Sequence, residues 1–220
     1  MLSKNQEKVI KSLQTKKGRQ KHGLCLVEGS KVIETAGDLV DYTFGPDDVE
    51  KFDDLVTTET PQEIAAVARI PEWNLDQIKS HKTIVLLDGV QDPGNVGAIL
   101  RLCLGLNASL LLIESADVTN PKVIRSSAGA MFQVPWLQIK RSEAKNLIKD
   151  LNREIYRLEK SNNAVKLDQD TIKSPALIIA GSEGQGIKLD VGGTSIFIEH
   201  DDKLESLNVG HAIAIALYSI

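Results

Sequence analysis

The hydrophobic positions of this chain fall into two patterns that meet near residues 70–80. From Lys82 onward, short continuous apolar runs alternate with segments of helical period. Thr83–Leu87, Ser109–Ile113 and Ala176–Ala180 are almost wholly aliphatic, as strands covered on both faces of a parallel sheet are. Pro93–Leu106 carries apolar residues at Val96, Ile99, Leu100, Cys103, Leu104 and Leu106, which predicts a helix. Asn120-Pro121 supplies an N-cap and a first-turn proline for a helix running toward Ala128. Ser142–Asn152 and Asn208–Tyr218 also predict helices, and Ile155–Leu158 and Thr194–Ile198 predict strands. Val134–Ile139 predicts an edge strand, because Pro135 cannot donate to a central ladder. Strands separated by helices imply crossovers, and so an α/β fold: an open, mostly parallel sheet with helices on both faces.

Before residue 70 the pattern is less regular. Leu2, Val9, Ile10 and Leu13 give a weak helical stripe, which a turn at Lys16-Lys17-Gly18-Arg19 is expected to end. Leu24–Glu28 predicts a strand, and Ser30 caps a predicted helix to Ala36 with Gly37 past its end. Short strands are expected near Asp41–Phe44 and Leu55–Thr57. Thr60-Pro61-x-Glu63 has the form of a capping box, predicting a helix over Pro61–Val67. Ile70–Ser80 has no clear period and is taken as a linker. The expected organisation is a small α/β domain over residues 1–75 and a larger one over 82–220.

Composition narrows the class. The 220 residues are 42% apolar and 25% charged, which excludes a disordered chain and is ample for a sizeable core. No apolar run approaches the ~18 residues of a membrane span. Met1–Lys17 is basic and amphipathic, with no continuous apolar stretch of the secretory kind. Cys25 and Cys103 are too few for a disulfide framework, and no Cys-x-x-Cys suggests zinc. A cytoplasmic protein is expected.

The net charge of −4 hides an asymmetry. Residues 1–22 hold seven basic side chains against one acid, whereas residues 38–63 hold nine acids against Lys51 alone. Such a contrast is what a polyanion-binding surface on an acidic protein looks like, although a run of charge is also the ordinary solvated face of a helix.

Three loops at predicted strand ends carry the candidate chemistry, since ligands of open α/β sheets bind at the carboxyl ends of the strands. The first is Asp88-Gly89-Val90-Gln91-Asp92-Pro93-Gly94-Asn95-Val96-Gly97, followed by Arg101. Asn95 and Arg101 lie six residues apart, so a bend or a ligand has to bring them together; the plainer reading is that Asn95 caps a helix and Arg101 pairs with an acid. The second is Gly181-Ser182-Glu183-Gly184-Gln185-Gly186, an exposed glycine turn around a carboxylate. It has neither the spacing of a dinucleotide fingerprint nor the Lys-Ser/Thr of a P-loop. The third is Leu204-Glu205-Ser206-Leu207-Asn208, where Ser206 or Asn208 alone would be read as an N-cap. No Gly-x-Ser-x-Gly elbow is present, which excludes a serine hydrolase of that type.

Together the three loops are far more specific than apart. DGVQDPGNVGAILR (88–101), NPKVIRSSAGAMFQVP (120–135), IIAGSEGQGI (178–187) and ESLNVGHAIAIALY (205–218) resemble the SPOUT superfamily, and within it the SpoU/TrmH-like RNA ribose 2′-O-methyltransferases. A weaker resemblance joins KGRQKHGLCLVEGSKVIETA (17–36) to the small RNA substrate-binding domain that many of those enzymes carry. The resemblance implies S-adenosylmethionine as methyl donor, a carboxyl-terminal trefoil knot and a homodimer. It implies a catalytic set of Asn95, Arg101, Glu183, Ser206 and Asn208, and cofactor contacts at Gly181, Gly186, Ile198 and Leu207. A guanidinium is a poor base, so Arg101 is assigned to clamping the ribose–phosphate and stabilising developing alkoxide. Glu183 is assigned to orienting it or taking the proton, and Ser206 and Asn208 to positioning ribose and cofactor.

The chain departs from the family pattern at Leu102-Cys103, at Glu199-His200 and at Gly210-His211, none of them in the catalytic set. His81, His200 and His211 lack metal-ligand spacing, so no metal is expected. At 4% aromatic residues a base-stacking platform is not expected either. Recognition then falls to shape and phosphate, with Lys16, Lys17, Arg19 and Lys21 as RNA contacts. Ribosomal RNA is preferred to transfer RNA on the strength of the amino-terminal domain. The competing classes are a non-catalytic RNA-binding or ribosome-associated protein that keeps the fold, and a nucleotide-binding α/β enzyme unrelated to RNA. Cofactor binding discriminates the first, and the missing basic phosphate loop counts against the second.

Overall fold

The computed structural model describes residues 1–58, 60 and 62–220. It resolves into two compact units, one of residues 1–72 with 117–133 and one of residues 73–116 with 134–220.

In the first unit α1 (Lys4–Leu13) begins at a reciprocal cap, in which the Gln6 amide donates to the Ser3 hydroxyl and the Ser3 amide donates to the Gln6 side chain. It buries Ile10 and Leu13. The basic stretch that follows is not a turn but a second helix, α2 (Lys16–His22), capped by Thr15 and ended by Gly23 at φ +65°. Gly18 is what misleads: a Cβ there would lie 1.9 Å from the Ser12 carbonyl oxygen, so the glycine lets α2 press against the end of α1 rather than break it. Then come β1 (Leu24–Glu28), α3 (Ser30–Ala36), β2 (Val40–Phe44) and β3 (Ala65–Arg69).

β3 lies between β1 and β2 and is antiparallel to both. The helix expected over Pro61–Val67 is therefore replaced from Ala65 by a strand; Pro61 itself lies outside the described residues. Ala65–Ala68 is fully buried, and small residues suit a central strand with neighbours on both sides. Leu55 and Val56, expected in a strand, are apolar for another reason: they leave a short 3-10 turn (Phe52–Asp54) and fill the core with Phe44 and Phe52, whose rings meet edge-on at 5.7 Å.

The second unit opens on α4 (Leu75–Lys79), inside the stretch taken as a linker. Asn74 and Gln77 cap it reciprocally, and it carries Ile78 into the core. Next are β4 (Thr83–Asp88), α5 (Pro93–Gly105) and β5 (Ala108–Ile113). The chain then contributes α6 (Pro121–Ser126) to the first unit and returns with β6 (Trp136–Gln138), α7 (Arg141–Leu151), β7 (Glu154–Leu158), β8 (Val165–Lys166), β9 (Ala176–Gly181), β10 (Thr194–Phe197) and α8 (Val209–Tyr218).

The seven strands of this unit run β6-β5-β4-β9-β7-β10-β8, and every pairing is parallel. β6 is an edge strand, as Pro135 required. On one face Ile84, Leu86, Leu111, Ile113, Leu177 and Ile179 pack with Ile78 of α4 and with Ala144, Ile148 and Leu151 of α7. Each fully buried aliphatic side chain of that size contributes about 1.5–3 kcal/mol. On the other face α5 packs on β5, and α8 on α5 and β9. The register matches Asp88 with Gly181 and Leu158 with Ala180, so the loops leaving β4, β9 and β7 start side by side.

Candidate active site

Asp92, not Asn95, caps α5: its carboxylate accepts from the Asn95 backbone amide at 2.8 Å. That frees the Asn95 side chain. Its amide nitrogen donates to Glu183 at 3.3 Å, and its oxygen accepts from Asn208 Nδ2 at 2.9 Å. The same Asn208 nitrogen reaches Glu183 Oε1 at 2.9 Å. Asn208 is nevertheless also an N-cap, since its oxygen accepts from the Gly210 and His211 amides at the start of α8. Three residues from distant segments, the first turn of α5, the glycine turn and the N-cap of α8, thus form one ring, with both amides directed at one oxygen of the carboxylate. Among the described residues Glu183 Oε2 has no partner, so a ligand hydroxyl can meet it.

Glu183 stands on a glycine turn of narrow tolerance. A Cβ on Gly181 would fall 2.1 Å from the Gly186 carbonyl carbon and oxygen and 2.4 Å from the Ile187 nitrogen. The Gly186 amide donates to the Ser182 carbonyl at 2.9 Å, and Gly186 sits at φ +61°. Downstream the turn is anchored by Asp88, a residue not singled out from sequence. One oxygen of its buried carboxylate accepts from the Lys188 and Leu189 amides, each at 2.7 Å, and the other from Arg141 at 2.7 Å. An acid closing an otherwise aliphatic strand was the available signal.

Beside the turn lie two cavities of about 450 and 410 Å³, which share Leu158, Glu159, Lys160, Ser206, Leu207 and Ala212 as walls. The first adds Ile196 and Ile198, and the second adds Gly181, Glu183 and Gly186. Volumes of that order hold a small molecule, and the lining is mixed: Glu199, His200, Asp202 and Glu205 stand in the first cavity beside its apolar residues. All four residues assigned to the cofactor line this space, and so do Ser206 and Glu183. Glu159 was not foreseen there. It is bound by Arg157 through both oxygens at 2.8 and 3.1 Å, and the guanidinium holds its carboxyl below the usual carboxylate range.

Two expectations are not met. Arg101 is exposed on the unbroken α5 and its side chain, among the described residues, makes no hydrogen bond or ion pair; Glu183 does not orient it, and no acid pairs with it. Arg19 is no surface cation. It is 3% exposed, its Nη2 contacts Asp117 at 2.6 Å, and it also donates to Thr119 Oγ1 and the Leu13 carbonyl. A guanidinium so enclosed is not open to a phosphate. Lys16, Lys17 and Lys21 remain exposed on α2. Lys4, Lys8 and Lys11 of α1 line a groove with Asp47, Asp48, Glu50 and Asp54, which offsets much of their charge locally.

The sequence profile of the SpoU rRNA Methylase family matches residues 82–218. The chain belongs to this family. One relative, the 23S rRNA (guanosine(2553)-2′-O)-methyltransferase RlmP of Bacillus subtilis, is 32% identical over 99% of this chain and 97% of its own. A TrmH-family protein from Porphyromonas gingivalis is 28% identical, with a TM-score of 0.80 over 100% of this chain and 98% of that one. The SpoU methyltransferase AviRb from Streptomyces viridochromogenes, solved in complex with AdoMet, shares the fold: TM-score 0.81 at 23% identity, over 97% and 96% of the two chains. The SpoU match runs through residues 117–133, which pack in the first compact unit rather than the second.

Proposed function

We propose that this chain transfers a methyl group from S-adenosylmethionine to a ribose 2′-hydroxyl of ribosomal RNA. The observation that carries the reading is the Asn95–Glu183–Asn208 ring beside a cavity of cofactor size. The residues fit the group. Gly181 lets the turn close on the Gly186 backbone, Gly186 takes the left-handed φ that the turn needs, and Ile198 and Leu207 offer apolar walls to a purine and a thioether.

When bound, S-adenosylmethionine supplies an electrophilic methyl on a sulfonium, with its own leaving group. The protein then has to align the acceptor and take up one proton. Glu183 takes that proton on its open oxygen while Asn95 and Asn208 fix the carboxylate. Ser206, exposed at the cavity wall, positions the ribose; Arg101, free to move, clamps the phosphate beside it. With the cofactor bound, the 2′-oxygen would take the methyl carbon as the carbon–sulfur bond breaks, leaving S-adenosylhomocysteine and the proton on Glu183.

The same reading extends to assembly and RNA. The trefoil knot belongs to the carboxyl-terminal part of the 82–220 domain, and residues 1–75 form the RNA-binding part, with Lys16, Lys17 and Lys21 toward phosphates. The chain works in the cytoplasm, on ribosomal rather than transfer RNA, as a homodimer. Support for the dimer comes from α5 and α8, which pack together and carry Leu104, Ile215 and Tyr218 at 44, 44 and 84% exposure. Large apolar side chains on adjacent helices are suited to a second copy. The Ile215→Glu/Tyr218→Glu double variant is expected to run as a monomer in light scattering, where the native chain runs as a dimer.

The direct test is calorimetric titration with S-adenosylmethionine, followed by methyl uptake into unmodified ribosomal RNA, with the product read as an alkali-resistant phosphodiester. Gly181→Ala is expected to abolish measurable cofactor binding, because its Cβ cannot coexist with the Gly186 backbone. A folded native dimer that binds RNA but no cofactor would move the assignment to a non-catalytic RNA-binding protein.

A further inference from the structure

Among the described residues, Glu159 is the one carboxylate that lines both cavities, and it does so from an ion pair with Arg157. It follows β7 directly. Since Leu158 is in register with Ala180, Glu159 lies beside Gly181, one residue further along the neighbouring strand. The same juxtaposition occurs in dinucleotide-binding parallel sheets, although this turn lacks their glycine fingerprint. A glycine turn after one strand admits the ligand to the backbone, and an acid ending the adjacent strand accepts from its ribose hydroxyls.

We propose that Glu159 is the acceptor for the ribose hydroxyls of the adenosine moiety of the cofactor. The inference rests on the cofactor reading given above and names a contact that reading leaves open. An ionised carboxylate accepts about four hydrogen bonds. Oε1 already takes Arg157 Nε at 2.8 Å and Ser195 Oγ at 2.7 Å, and Oε2 takes Arg157 Nη2 at 3.1 Å, so the remaining capacity is on Oε2. Arg157 is itself fixed by the Leu189 and Val191 carbonyls, at 3.1 and 2.8 Å. The carboxylate is therefore held in one orientation before any ligand arrives, and at 25% exposure it is still reachable. Arg157 keeps it an acceptor only, which selects O–H and N–H donors and excludes a phosphate. The neighbouring Lys160 leans to Asp202, at 3.8 Å, and leaves that acceptor uncovered.

The test compares two ligands on two proteins by calorimetry on the full chain: S-adenosylhomocysteine and its 2′,3′-dideoxy analogue, against the native chain and Glu159→Gln. The native chain is expected to bind the dideoxy analogue about tenfold more weakly than the parent. Glu159→Gln is expected to lose about the same factor for the parent and nothing further for the analogue. Equal affinity of the native chain for both ligands overturns the proposal without any variant, so a poorly folded variant does not rescue it. A loss in Glu159→Gln that persists undiminished against the analogue also overturns it, moving the contact to the base, the amino-acid tail or the fold. No binding of either ligand to the native chain is the distinct failure, in which the cofactor reading itself falls.

Discussion

Glutamine in place of Glu183 is expected to lower kcat for methyl transfer by about 10²–10⁴-fold while leaving the affinity for S-adenosylmethionine within a few-fold of native. The change is isosteric, and the glutamine carbonyl can still accept from Asn95 and Asn208, so the ring and the turn on which it stands should persist. What disappears is the second, unpartnered oxygen as a proton acceptor. A loss confined to kcat, with RNA and cofactor affinities intact, is the signature of a group that acts in the transition state. Single-turnover methylation under saturating cofactor, with calorimetry on the same preparation, separates the two quantities. Activity within a few-fold of native would mean that the proton leaves to water and that Glu183 only shapes the turn. A collapse of cofactor affinity together with kcat would assign it to the cavity wall instead.

Residue by residue the ring was three separate weak signals, which only the family resemblance joined into one set. Asn95, Glu183 and Asn208 lie in loops up to 113 residues apart, and each has a bland local explanation. Periodicity found the buried strands β4, β5 and β9 because full burial on both faces leaves an aliphatic run with no alternation. It could not order them, since register and neighbour choice depend on contacts between distant segments. The front of the chain misled for related reasons. Gly18 reads as a helix breaker until the close approach of two helices is seen, and Ala65–Val67 reads as the end of a helix until it becomes part of the middle strand of a sheet. Glu159 was invisible because its role depends on lying beside Gly181, a neighbour that only the strand order supplies.

Counting charge along a sequence also cannot tell a surface cation from a buried one, and Arg19 is where that matters most. Arg19→Met is expected to destabilise the protein by about 3–5 kcal/mol, the typical cost of removing one partner of a buried ion pair. The methionine approximates the volume but strands the Asp117 carboxylate, which keeps only the Thr119 amide at 3.1 Å and hydroxyl at 2.8 Å. It also leaves the Leu13 carbonyl, at the end of α1, without the donor that now reaches it at 2.8 Å. Because Arg19 ties α2 to a segment 98 residues away, the loss should appear as a fall of about 10 °C in the midpoint of thermal unfolding. RNA binding measured well below that midpoint should keep its salt dependence, since no phosphate contact has been removed. A contact with one phosphate predicts the reverse: an unchanged midpoint and a slope of log K against log salt shallower by about one. The two outcomes cannot be confused, and the buried geometry commits to the first, leaving Lys16, Lys17 and Lys21 as the cations of α2 that face solvent.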